Sequence, residues 1–139
     1  MADLPPFAHH AAELTNREIV IWLTTTSRDL SPQPRPVWFI WHQEHFLIYS
    51  RPETHKIRHI QERPNVALHF NSDAHASRDV VVFKGVARIA PEIPPAHEVP
   101  AYAEKYAAGF TALGMTPAQF GAAYSTPIMV AVKEVEGMA

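Results

Sequence analysis

Six runs of β-branched and aromatic residues, joined by short connections, set the strongest limit on what this chain folds into. They are Ile19–Thr26, Gln33–Trp41, Phe46–Ser50, Val66–Phe70, Asp79–Ile89 and Pro127–Val135. Most helical patterns come late, after the fifth run, rather than between strands. That order argues a mainly β protein, a six-stranded antiparallel barrel with appended helices, and not a sheet of βαβ units. With 139 residues the chain has material for a single domain and one core.

Punctuation within the runs refines this expectation. Pro34 and Pro36 lack N–H donors and confine the start of the second strand to an edge or a bulge. The short turn His42–His45 predicts that the second and third strands form a hairpin. Val80–Phe83 is apolar without alternation, which predicts cover on both faces. Gly85 predicts a bulge or a close backbone approach. Helices are expected over Phe7–Glu18, with Phe7, Ala11 and Leu14 inward, and over Ala96–Leu113, with Tyr102, Tyr106 and Phe110 on one face. Thr116 followed by Pro117 reads as an N-cap and first helical position. Asn71–Arg78 reads as a polar loop.

The chemistry concentrates in Phe46–Ile60, FLIYSRPETHKIRHI. A strand ends at Ser50, Pro52 breaks it, and Thr54 is placed to cap a helix whose Ile57 and Ile60 share a face. That helix ends near Arg63, before Pro64. Ser50, Arg51, Thr54, Lys56 and Arg58 surround the turn. Hydroxyls, cations and free N–H groups at a helix start suit an anion, above all a phosphate. The alternative is a solvated basic helix start that binds nothing.

Other chemistries find less support. Net charge is −2 with a pI near 6.5, so nucleic acid has no global attraction to this chain. No cysteine is present, which removes disulfides and thiolate chemistry. No apolar run is long enough to span a membrane, and no leader pattern is apparent, so a cytoplasmic location is the default expectation. Of the nine histidines, His55 and His59 fall at helical spacing, but neighbouring cations disfavour a metal there. His69 alternates with Leu68 and Phe70 and reads as a hydrogen-bonded wall residue. There is no GxSxG, GxGxxG or phosphate-loop pattern, and no catalytic side chain is singled out.

Aromatic residues crowd the first three strands: Trp22, Trp38, Phe39, Trp41 and Tyr49. Core packing is the ordinary role of each. With the anion turn beside them, they also suit a flat ligand whose phosphate lies at Ser50–Lys56 and whose ring lies along Val37 and Trp38.

PVWFIW, FLIYSRPETHKIRHIQERPNVALHF and DVVVFKGVARI resemble the pyridoxamine 5′-phosphate oxidase-like family of split β-barrels. The later VPAYAEKYAAGFTALGMTPAQFGAAYSTPIMV is similar to a subgroup of probable F420-dependent enzymes. The resemblance implies a homodimer with flavin or deazaflavin, FMN or F420, at the interface. It places Tyr49, Ser50, Thr54, His55 and Lys56 at the cofactor phosphate, and the backbone of Val37 and Trp38 beside the ring. His55 stands where the oxidases carry arginine, so Arg51 or Arg58 is left to supply that charge. Val80 stands where they carry glutamine, and their C-terminal substrate segment is absent. The resemblance therefore implies an F420- or FMN-dependent oxidoreductase of a small organic substrate, and not a true pyridoxamine phosphate oxidase. A non-catalytic flavin carrier is the first alternative. A haem-binding barrel using His69 or His75 is the second.

Overall fold

The computed structural model of the chain describes residues 6–76 and 80–137. The side chain of Phe7, and residues 77–79 with Asp79 at the start of the fifth run, lie outside the described residues. The order is α1 (Pro6–Arg17), β1 (Val20–Thr26), β2 (Pro32–Trp38), β3 (Ile40–His42), β4 (His45–Ser50), α2 (His55–Glu62), β5 (Asn65–His69), β6 (Val81–Ile89), a tight helical turn at Ala96–Glu98, α3 (Pro100–Lys105), α4 (Ala107–Ala112), α5 (Pro117–Ala123) and β7 (Thr126–Gly137). The seven strands form one antiparallel sheet in the order β2-β1-β5-β6-β7-β4-β3. The mainly β architecture is as expected, but there is one more strand.

The extra strand comes from a break at Phe39. The expected run Gln33–Trp41 is two strands, and they lie on opposite edges of the sheet. β2 pairs with β1, Val37 opposite Ile21 and Trp38 opposite Val20. Only β3 pairs with β4, Ile40 opposite Leu47 and Trp41 opposite Phe46. The expected hairpin is thus limited to its last three residues. The physical reason lies in the prolines. Pro32, Pro34 and Pro36 alternate along β2, so one side of that strand has no N–H to offer a further neighbour. β2 must be an edge, and the chain has to leave it to join β4. Because one residue separates the two edge strands, the sheet curls until its edges meet at Phe39 and part beyond it. This is a split barrel.

Phe39 is fully buried and heavily fastened. Its N–H donates to the Tyr106 hydroxyl at 2.7 Å, and that hydroxyl donates in turn to Ile19 O at 2.6 Å. The Lys105 ammonium donates to Phe39 O at 2.9 Å and lies 3.7 Å from the centre of the Phe39 ring.

Two cores flank β4. Phe46 and Ile48 point into the barrel with Phe39, Phe83, Leu68 and Val130. Leu47 and Tyr49 point the other way, into a second core under Tyr102, Tyr106, Phe110 and Phe120. The run Phe46–Tyr49 is continuous because both faces are covered. For β6 that expectation holds on one side only. Val81 and Phe83 are buried, while the other face carries half-exposed Val82 and Val86 beside Lys84 and Arg88. Gly85 marks a register shift, and a Cβ there would stand 2.5 Å from Ala131 O, so the expected bulge and close approach are both present.

The late helical segment is not continuous. Pro100 opens α3 as its first residue, and Tyr106 leaves helical geometry between α3 and α4. Thr116 caps α5 with a reciprocal capping box, accepting from Gln119 N at 3.1 Å while Gln119 Oε1 accepts from Thr116 N at 2.8 Å. Ala11 and Leu14 of α1 are fully buried, as their spacing predicts.

At the Phe39 junction, Tyr106→Phe leaves the buried N–H without its acceptor, and urea denaturation should register a loss of about 1–3 kcal/mol. An unchanged unfolding free energy would remove the junction's importance. Burial pushes the Lys105 ammonium down to about 8, against an opposing pull from Glu18. The unfolded chain then holds this proton more tightly than the folded chain between pH 8 and the ordinary value of 10.5. Stability from this group is therefore lost as pH falls through 8 and regained as it rises towards 10.5. The stability of the wild type relative to Lys105→Met should rise between about pH 7 and about pH 9.5. A flat difference would contradict it.

Candidate cofactor cleft

The barrel's split opens a cleft, and the short β3 is the reason. β3 covers β4 only as far as Leu47, so the end of β4 faces the gap toward β2. There Pro36, Val37 and Trp38 from one edge meet Tyr49, Ser50 and Arg51 from the other around a cavity of about 290 Å³. A second cavity of about 540 Å³ adjoins it, lined by Thr25, Gln33, Arg35, His55 and His59. Pro36, Val37, Thr54 and Lys56 line both. Lys56 thus stands at the boundary of one bipartite cleft.

The turn that carries Lys56 is held by hydroxyls. Ser50 is almost fully buried, and its Oγ donates to Arg51 O at 2.9 Å and lies 2.9 Å from Thr54 Oγ1. Thr54 has the extended backbone of an N-cap, but its side chain does not cap α2. It turns instead to Arg51 O at 3.2 Å and accepts a long 3.3 Å bond from Lys56 Nζ. The cap expected from sequence is therefore replaced by a Ser50–Thr54–Lys56 relay facing the cleft. Behind it, Ile60 is buried in the barrel core and Ile57 packs against it, which fixes α2 as predicted.

The electrostatics of this cleft are one-sided. Lys56 forms no ion pair among the described residues, and no carboxylate lines either cavity. Burial first, and the nearby Arg35 charge second, hold the Lys56 ammonium below the usual lysine range. His59 is likewise held low, by burial and then by Arg63 and His55, with Glu62 opposing. Its Nδ1 lies 2.8 Å from Thr25 Oγ1. The Lys56 and Arg35 charges, with no carboxylate beside them in the cleft, favour an incoming anion.

Most of the residues singled out in the sequence meet here. Val37, Trp38, Tyr49, Ser50, Arg51, Thr54, His55 and Lys56 all line the cleft. Arg58 does not; it is exposed on the far side of α2 and lines neither cavity. Arg63 is also committed elsewhere, donating to Thr26 O at 2.9 Å and pairing with Glu62 at 3.0 Å. Arg51 extends its guanidinium over the Tyr124 ring, 4.7 Å from its centre. The Trp38 ring is packed in a stack between Tyr106 at 4.5 Å and Phe120 at 5.3 Å, so Trp38 meets the cleft through its backbone and ring edge. Sequence reasoning did not place Tyr102, Leu113, Phe120 and Tyr124 in the cleft. The helical spacing of Tyr102 signalled burial without saying against what.

His69 holds Nδ1 at 3.2 Å from Phe70 O and lies parallel to the Trp22 ring on the outer face of the sheet. That bears out a hydrogen-bonded wall role. Neither His69 nor His75 lines the cleft. No described helix is long and apolar enough to cross a membrane.

The antiparallel split barrel, with its cleft at the parted edges, defines the class of protein. The chain belongs to the pyridoxamine 5′-phosphate oxidase family, whose model matches residues 7–138. No curated protein sequence matches it. Among solved structures it is similar to an F420 reductase (21% identity, 89% of this chain and 94% of that one, TM-score 0.67). It is similar to the conserved hypothetical protein Rv2991 from Mycobacterium tuberculosis (19% identity, 97% and 86%, TM-score 0.72). It also resembles the haem storage protein HutZ from Vibrio cholerae (12% identity, 94% of each chain, TM-score 0.63). At these identities the likeness concerns the fold.

Proposed function

We propose that this chain is an oxidoreductase that holds F420 or FMN in the cleft, with Lys56 on the cofactor phosphate. The observation that carries this reading is the half-buried, unpaired Lys56 at the start of α2, joined by Ser50 and Thr54 hydroxyls. A phosphate supplies the charge and acceptors that this corner lacks. The bound cofactor would supply hydride chemistry, which fits a site without an evident nucleophile or acid. The chain's own part is to bind, orient and exclude water. The backbone of Val37 and Trp38 borders the ring, and a small organic substrate meets its open face.

Arg35 favours the deazaflavin of the two cofactors. It lines the larger cavity with His55 and His59 and has no ion-pair partner among the described residues. An anionic extension beyond the first phosphate would meet these groups, and F420 has one where FMN does not. A second copy of the chain completes the proposal, covering the half-exposed Val82 and Val86 face of β6 and closing the cleft.

Titration of the purified chain with each cofactor tests this. Lys56→Ala should weaken both by about tenfold or more, as loss of a charged hydrogen-bond donor does. Arg35→Ala should weaken F420 by up to roughly fivefold and FMN hardly at all, as for a solvent-screened ion pair. Unchanged affinity in Lys56→Ala would sink the assignment. Intact binding with no turnover of enones or quinones would identify a carrier rather than an enzyme.

A further inference from the structure

The larger cavity puts a histidine where an arriving anion changes its charge. His59 lines this cavity with Arg35, His55 and Lys56, and its Nδ1 lies 2.8 Å from Thr25 Oγ1. That partner sets His59 apart. His45 and His69 hold Nδ1 against the backbone carbonyls of Gln43 and Phe70, at 2.6 and 3.2 Å. A carbonyl only accepts, so it keeps the proton on that nitrogen, whereas a hydroxyl both donates and accepts. Thr25 therefore donates to a neutral ring or accepts from an imidazolium by turning its O–H, with no movement of the backbone. Thr25 is itself buried and makes no other side-chain hydrogen bond among the described residues. The other ring nitrogen of His59 has no partner among the described residues, and the residue is part-exposed.

The charges around His59 are mostly positive. On α2 and its C-cap stand His55, Lys56, Arg58 and Arg63, with Glu62 the one carboxylate, and Glu62 is already paired with Arg63 and Arg28. Arg35 faces His59 from β2 across the cavity. β1, on which α2 packs, carries no titratable residue. The charged residues of β6, Lys84 and Arg88, lie on the outer face of the sheet and pair with Glu134, Glu136 and Glu92. Burial first, then Arg63 and His55, hold the ring below the usual histidine range, so it is neutral in the free chain near neutral pH. A carboxylate arriving within about 4–6 Å reverses the sign of this environment and favours the protonated ring.

We propose that binding of an oligocarboxylate in this cavity is coupled to uptake of one proton by His59, with Thr25 as the positioning residue that serves both charge states. One proton passes from solvent to the ring, and no bond to the ligand forms. The identity of the ligand rests on the reading of the cleft as an F420 site, since the tail of F420 is an oligocarboxylate; the coupling stands on the cavity itself. Its sense is fixed. Below its free-state pKa His59 is charged with or without ligand, and the gain in affinity is fully present. Above its bound-state pKa the ring is neutral in both, and the gain is lost. FMN, which lacks such a tail, leaves His59 neutral.

Two probes test the coupling apart from the cofactor assignment: F420, and tri-γ-glutamate, which is the tail chemistry without the deazaflavin. Ring-nitrogen NMR of the isotope-labelled chain at about pH 7 should show His59 neutral alone and as imidazolium with either probe bound. The F420 affinity of the wild type relative to His59→Gln should rise about tenfold from about pH 7.5 to about pH 6, the scale of one proton. The ligand's own ionisations are common to both chains and cancel in this ratio. Thr25→Val, which offers the imidazolium no acceptor, should flatten the rise, and Thr25→Ser should restore it. Near-ultraviolet circular dichroism checks that each variant is folded. A ring that stays neutral in the F420 complex would overturn the coupling and leave the cofactor site standing. A ring that charges with tri-γ-glutamate in a chain that does not bind F420 would support the coupling and remove the cofactor reading. No binding of either probe at millimolar concentration would overturn both.

Discussion

Everything in this fold passes through one crossing, the buried Phe39 peptide between β2 and β3. In an open sheet, two consecutive strands on opposite edges would be unreachable by a single residue. Here the curl brings the edges together, and the Tyr106 hydroxyl and Lys105 ammonium satisfy the backbone that neither edge can. A buried N–H and C=O left unmet at that point would favour opening of the curl. The late helices are therefore not ornaments on the barrel. They bring the two side chains that hold its edges together, and the aromatic stack on Trp38 that covers the second face of β4.

The cleft is placed by the same crossing. The edges that meet at Phe39 part beyond it, and the gap between them becomes the cleft. β4 enters this gap buried on both faces, so Ser50 and the turn after it sit on a rigid strand rather than a mobile loop. α2 is anchored behind by Ile57 and Ile60, which holds the half-buried Lys56 at the boundary of the two cavities. A cation held this way keeps part of its desolvation cost until an anion arrives. The one-sided charge of the cleft and the rigidity of its supports are thus two consequences of one architecture.

How much of this was legible in the sequence depends on whether a feature is local. Lys56 with Ser50 and Thr54, the Gly85 bulge, the Thr116 cap and the edge character of β2 all follow from neighbours a few residues apart, and all are present in the structure. The break at Phe39 was not legible, because VWFIW reads as one unbroken strand and only long-range pairing divides it. The same blindness kept Arg58 in the site on sequence proximity, although its helical position turns it away. It also left Tyr102 as a generic core residue, since an unmet hydroxyl is visible only when its surroundings are known. Family resemblance supplied the cofactor class, and the charge distribution around Arg35 and Lys56 supplies the case for an anionic cofactor end.

The proposed place of a phosphate-bearing flat cofactor is the gap between the parted edges of the barrel. The most direct measurement is a solution NMR titration of the isotope-labelled chain with F420 and with FMN, following backbone amides. Perturbations should concentrate at Arg35–Trp38 and Ser50–His59, with those at Arg35 and His59 larger for F420. No perturbation with either cofactor, or perturbations centred on the outer sheet face around Trp22 and His69, would contradict it.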